Sequence, residues 1–516
     1  MPKTLTLKQI WICPPLAFAR FGKSSVPMEN FHWADNDYAP RGTAETVIKP
    51  SLTFKIDSIG NISAYTPEEI QFKDDGNWRP VCPFFELHGE FSDGSSGPIG
   101  LEELEGAGLS LGDIRWTVQV ANRKAYHYTL NRDDLVEATV QVSGEDHFYH
   151  ALEGVCSDEA KQPLVPKGAS VALGGVQVVR PNPDYPELRL RITPPKGLIY
   201  APTNTDERDL GVLIKPNEDE DEFLRQLVTI LNPKAPWPNW VPPKNDSRTN
   251  PGGLYAQEPT NRDDNLGNSL GFLDDSGDGT ITVEVRQKNG KKSNLSACAR
   301  FTYCPQDFQP DRRPFVSVAD GLSDLVKREE VSEPGFMNGL GWLETEAEIA
   351  DLMQRVRETM ENSNLDHQNL RSKLGNDSIL DLYDETARDI YPFEPEPPRP
   401  GHPLPLTTKG REMHARFLSY EVFKQRLAQR PEIFENIIRK PTDLPDFYDN
   451  KMPALMRGSD SYPMTISQRQ FNMMKEWLGR IEQGKAPAKK SAESSAAATP
   501  KAAAKSRKKA SRKKRK

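Results

Sequence analysis

The sequence predicts an α+β fold. A β-rich body covers residues 1–335, a mainly helical domain covers 336–484, and a disordered Lys/Arg-rich tail covers 485–516. Three observations carry this reading. Apolar residues alternate with period two in the first half, they recur as helical stripes in the second, and no apolar periodicity follows Gly484. The composition agrees: 516 residues with 44 prolines, 35 glycines and 36% hydrophobic residues suit several short, loop-linked elements rather than a helical bundle.

Residues 8–22 read as a strand and turn, with Ile10 and Ile12 on one face and Pro14, Pro15 and Gly22 as punctuation. Residues 45–64 read as a strand pair split at Lys49-Pro50, and 81–91 as a further strand. Over 113–121, Ile114, Trp116, Val118 and Val120 alternate with Arg115, Thr117 and Gln119, which predicts a half-exposed strand. Strands are also expected at 187–193 and 280–286. The acidic run 217–222 stands before FLRQLVTIL, where a helix start favours negative charge. Residues 232–262 are irregular, with Trp237 and Trp240 covering apolar surface.

The second half changes period. Thr345 and Glu348 fit a capping box opening a helix over 345–361, striped by Ile349, Leu352, Met353, Val356 and Met360. A polyproline-like connector follows at 391–406, then helices at 409–429 and 432–439. The last helix begins near Thr465, with Gln468 completing a second capping box. Its stripe is Phe471, Met474, Leu478 and Ile481, with Trp477 beside it, and Gly484 ends it.

The net charge of −7 hides a segregation. Residues 485–516 hold 13 Lys/Arg and one acid, net +12, whereas residues 1–484 hold 54 basic and 73 acidic residues, net −19. Such a tail suits an anionic partner or nucleic acid, or the acidic body itself. It has no aromatic residue to stack on bases. No apolar run is long enough to cross a membrane, and the start lacks a basic segment followed by an apolar one. The expectation is a soluble, cytoplasmic protein without a membrane partner.

Five scattered cysteines (Cys13, Cys82, Cys156, Cys298, Cys304) suit reduced, buried thiols. Cys298 and Cys304 are spaced too widely for a usual zinc pair. Phosphate-loop, dinucleotide, zinc-protease and nucleophile-elbow motifs are absent. Two clusters remain. His147 and His150, with Glu145 and Asp146, suit a metal, but surface histidines beside a buried Phe148 or Tyr149 are the preferred reading. Residues 274–279 have a calcium-loop look, yet Ser276 and Val285 fall where the loop needs acids, so a tight turn before the next strand is preferred.

Five segments in order resemble the lysine epsilon-oxidase and glycine oxidase family. They are IWICPPLAFARFGKS at 10–24, IRWTVQVANRKAYHY at 114–128, Phe272 to Gly279, PQDFQPDRRPFVSVADGLSD at 305–324, and MPALMRGSDSYPMTISQRQFNMMKEWL at 452–478. The resemblance implies an amino-acid oxidase that uses oxygen and releases ammonia and hydrogen peroxide. It also implies a cysteine tryptophylquinone made from one Cys and one Trp, with a flavoprotein as maturation partner. In that family the cofactor residues lie beyond the segment matched here by Trp477, and no cysteine follows Cys304. The expectation is a cofactor-less paralogue acting as a binding or assembly component, with no catalytic, cofactor or metal residue assigned. A working quinoprotein amino-acid oxidase, and an anion- or nucleic-acid-binding protein acting through residues 485–516, are the alternatives.

Overall fold

The computed structural model describes residues 5–35, 46–129, 132–161, 163–203, 227–233, 273–286, 294–306, 313–333, 335–336, 340–361, 424, 427–442, 451, 453, 456–457 and 462–482. The strands that shape the body are, in order, β1 (Leu7–Cys13), β2 (Leu16–Arg20), β3 (Phe84–Phe91), β4 (Ser96–Pro98), β5 (Ile114–Asn122), β6 (Val136–Ser143) and β7 (Tyr149–Gly154). Then come β8 (Val171–Val178), β9 (Arg189–Thr193), β10 (Ile199–Pro202), β11 (Leu227–Leu231), β12 (Leu273–Asp274), β13 (Gly277–Val285) and β14 (Leu295–Cys304).

Two sheets face each other. One runs β1-β3-β9-β8-β7, with β4 also on β3; the other runs β6-β5-β13-β14-β2. All their pairings are antiparallel except β2 on β14. The chain passes between sheets at Pro14-Pro15, so β1 and β2 belong to different layers. The layers meet again where β1 lies on β14 and β6 on β7, which closes the sandwich at both sides. A small third sheet, β11-β10-β12, stands beside them.

Alternation explains the core. On β5, Ile114, Trp116, Val118 and Val120 are all buried, as the sequence predicts. They meet Phe85, Leu87, Val176, Ile281 and Phe301 from the surrounding strands in one continuous apolar cluster. The expected strands at 81–91, 187–193 and 280–286 are present, within a few residues at their ends; of the strand and turn expected at 8–22, the strand is present but the turn is confined to Pro14-Pro15, and Leu16–Arg20 forms a second strand. Strands β6, β7, β8, β10 and β14 were not expected. Leu227–Leu231, expected as helix, is a strand pairing in parallel with β10. A short apolar run does not fix its own period, and here the neighbouring strand does.

Helices form a second, smaller core: α1 (Val318–Val326), α2 (Arg328–Ser332), α3 (Trp342–Glu361), α4 (Phe434–Ile437) and α5 (Gln468–Glu482). Phe315, Ile349, Leu352, Phe434, Phe471 and Trp477 are buried together there. The core draws Phe315 from upstream of residue 336, and residues 1–486 form one unit. Helix α3 starts at Trp342, so Thr345 lies inside it, its hydroxyl donating to the Gly341 carbonyl rather than capping. The box that opens α5 is also displaced from Thr465/Gln468. The Ser467 N–H donates to Gln470 Oε1 at 2.9 Å, and the Gln470 N–H donates to Ser467 Oγ at 3.2 Å. The Asp324 carboxylate of α1 takes the next two amides, of Gln468 and Arg469. Ser467→Ala is expected to lower unfolding free energy by about 1 kcal/mol. Thr465→Ala should change it by less than about 0.5 kcal/mol in the same urea titration.

The expected acidic helix start at 217–222, Trp237, Trp240, the connector at 391–406, most of 409–429 and the tail 485–516 lie outside the described residues. Among the described residues no helix is long and apolar enough to cross a membrane.

Candidate functional site

The site lies where the helical layer covers the line between β1 and β14. On β1, Ile10 and Ile12 point into the sandwich, so period two turns Trp11 and Cys13 outward. On β14, Ala297, Ala299 and Phe301 point inward, which turns Cys298 and Arg300 outward. Helix α3 packs against β1, and α5 packs against α1, α2 and α3. A cavity of about 310 Å³ remains under the helices, lined by Trp11, Cys298, Lys327, Glu344, Glu348 and Arg469 among others.

Its inner wall is an ion cluster. Arg469 is 2% exposed, and its Nη2 lies 3.0 Å from Asp320 Oδ1 and 2.5 Å from Glu348 Oε1. Arg300 Nη2 approaches the same carboxylates at 3.5 and 3.8 Å. Burial pushes the Asp320 carboxyl up, but Arg300 and Arg469 outweigh it and hold it at about 2. Glu348 is lowered for the same reason, against strong burial. Burial pulls the Arg469 guanidinium down, and the two carboxylates more than reverse that.

Two groups at this cavity are only partly satisfied by the described residues. Glu344 has no ion-pair partner among the described residues. Burial, then the Glu348 charge, pushes it up to about 7, against a hydrogen bond with the Gly341 backbone. Among the described residues Arg469 Nε and Nη1 have no hydrogen-bond partners, although both are buried. Among the described residues one cavity therefore holds a carboxyl without an ion-pair partner and a guanidinium with two unbonded nitrogens, a combination that complements a small ligand carrying both a donor cation and an acceptor anion.

The structure also bears on the quinone implied by the resemblance. Trp11 lines the same cavity as the Cys298 thiol, and Cys13 lies two residues along the same strand, on its outward face. Burial pushes the Cys13 thiol up to about 12 and raises Cys298 as well, with Thr282 as a hydrogen-bond partner of the latter. Neutral thiols are poor nucleophiles.

The residues singled out in the sequence fall elsewhere. The expected exposures at 147–149 are inverted: His147 is buried, with Nδ1 3.3 Å from the Val178 carbonyl oxygen, whereas Phe148 and Tyr149 are exposed. His150 Nε2 pairs with Asp146 at 2.9 Å. Asp274 binds Lys124 and the Ser276 hydroxyl, while Asp275 accepts the Gly197 and Leu198 amides, so the 274–279 segment is a corner held by its own chain. Cys298 and Cys304 lie on one strand six residues apart, roughly 20 Å at about 3.3 Å per residue, too far for a shared metal. Among the described residues no group of three or more His, Cys, Asp or Glu is placed to hold a metal. Glu344 and Arg469 were not anticipated. Their one sequence signal was a polar residue on an otherwise apolar helix face.

No family model matches the chain, and no curated protein matches it. Solved structures of the L-Lys epsilon-oxidase from Marinomonas mediterranea show a distant structural likeness. The Schiff base intermediate with L-Lys shares 12% identity over 91% of this chain and 60% of its own, with a TM-score of 0.35. Two further structures of that enzyme share 13% identity over 92% of this chain and 61% of theirs, with TM-scores of 0.33 and 0.36. The chain thus spans about 60% of the length of these structures.

Proposed function

We propose that this protein is a cofactor-less binding or assembly component on a lysine epsilon-oxidase-like scaffold, taking a small amphoteric ligand in the cavity between β1, β14 and the helices. The observation that supports this is the presence, in one cavity of about 310 Å³, of the Glu344 carboxyl, which has no ion-pair partner among the described residues, and of the Nε and Nη1 of Arg469, which have no hydrogen-bond partner among them. A ligand ammonium offsets the buried carboxyl, and its carboxylate satisfies the guanidinium edge. Trp11 and Leu340 supply apolar wall for the body of such a molecule. The second reading, a quinoprotein amino-acid oxidase, draws on Trp11 and Cys298, an indole and a thiol that line this same cavity.

One experiment separates them. Protein produced together with its genomic neighbours is assayed by intact mass, visible absorbance and amine-dependent peroxide release. The expected result is the mass of the sequence, no visible band, no peroxide, and a thermal shift with a free amino acid that Glu344→Gln abolishes. A quinone band with amine-dependent peroxide overturns the binding reading in favour of the oxidase.

A further inference from the structure

The outward face of the β6-β5-β13-β14-β2 sheet carries a separate cleft of about 670 Å³. The strand registers align its floor. Thr139, Gln119, Thr280 and Arg300 stand directly opposite one another on successive strands. A second row, two residues along and on the same face, runs from Glu137 through Ala121, Asp278 and Thr302 and ends at Phe18. Both rows line the cleft, and Val316 and Leu322 wall it beyond β2. With strands about 4.8 Å apart, the floor presents polar side chains over roughly 14 Å at right angles to the strands, with the apolar β2 position one spacing further.

Three properties define what fits there. Gln119, Thr139 and Thr280 have no side-chain hydrogen-bond partner among the described residues, so their donors and acceptors are free. The charges largely cancel: Arg123 lies 3.6 Å from Glu137 at the rim, and Arg300 lies 3.5 Å from Asp320. That leaves Asp278 as an acceptor and gives no field for a polyanion. Phe18 and Leu322 offer an apolar border at one end, with Leu322 51% exposed. A regular, nearly neutral row of hydroxyl and amide groups with an apolar edge complements a neutral chain that repeats hydroxyls and also presents C–H faces.

We propose that this sheet face binds a neutral oligosaccharide laid across the strands. The inference is independent of the reading made for the cavity under the helices. A panel of neutral tetra- to hexasaccharides (α- and β-linked glucans and N-acetylglucosamine oligomers), with an oligogalacturonate as the acidic counterpart, is titrated calorimetrically into the full chain. At least one neutral oligomer is expected to bind, and the double variant Gln119→Ala/Thr280→Val to weaken it about tenfold or more with the thermal midpoint unchanged, as expected for losing about 1.4 kcal/mol of contacts. Thr139→Val, a β-branched exchange on an exposed strand position, serves as a second variant with the same sign and a smaller effect. The proposal is overturned if no neutral oligomer binds, if only the acidic one does, or if the variants bind as the parent does.

Discussion

Replacing Arg469 by methionine is expected to destabilise the protein by about 3–5 kcal/mol, because two buried carboxylates then lose the cation that holds them ionised. Asp320 has no measurable exposure and Glu348 has 6%, so solvent cannot take over the role of the guanidinium. Arg300 reaches both carboxylates, but only at 3.5 and 3.8 Å and from a partly exposed position. Methionine keeps the approximate bulk of the side chain, which separates loss of charge from loss of packing. The triple exchange of Asp320, Glu348 and Arg469 to apolar residues of similar size is expected to cost less than the single one, since it removes the stranded charges as well. Urea unfolding of the three proteins checks both statements. A single-variant loss under about 1 kcal/mol would mean that the cluster is hydrated and does not fasten the helices to β14.

That cluster also shows where the sequence is readable and where it is not. Strand β5 declares itself because both its faces differ in polarity along nine residues. Strand β8 does not, since Gly174 and Gly175 interrupt its apolar alternation. Gly174 sits at φ +80°, where a Cβ would come within 2.3 Å of the Thr193 carbonyl oxygen. Strand β14 hides its period behind small residues: Ala297 and Ala299 face the core opposite Cys298 and Arg300. Glu348 was legible only as a helix-start residue, from its spacing to Thr345. Its real partner, Arg469, is 121 residues away and is brought to it by tertiary packing. The candidate site suffers most from this. Trp11, Cys298, Glu344 and Arg469 come from four elements, and no local pattern joins them. The helix ends failed more mildly, because competing Ser, Thr and Gln residues within one turn offer several capping registers, and the covering Asp324 selects one.

The pH dependence of stability is expected to turn on Asp275, and Asp275→Asn to flatten it. The carboxyl is fully buried. Its Oδ2 accepts the Gly197 amide at 3.0 Å and the Leu198 amide at 2.7 Å, while Oδ1 has no partner among the described residues. Burial pushes it up to about 7 from 3.8, against the Leu198 hydrogen bond and with the neighbouring Asp274 adding to the rise. The folded state therefore holds this proton over a range in which the unfolded chain has released it. Stability from this group is complete below about pH 4 and is lost as pH rises toward and through 7. Between pH 5 and pH 8 the loss is on the order of 2–3 kcal/mol. Asparagine keeps an acceptor for both amides and cannot ionise, so the variant should gain on the parent by that amount across the same interval. Glu344 titrates in the same direction in both proteins and leaves a residual slope that the comparison cancels. Urea unfolding of parent and variant at several pH values measures the difference directly. A gap between them that stays constant from pH 5 to pH 8 would show that water reaches Oδ1 and that the carboxyl ionises at its ordinary value.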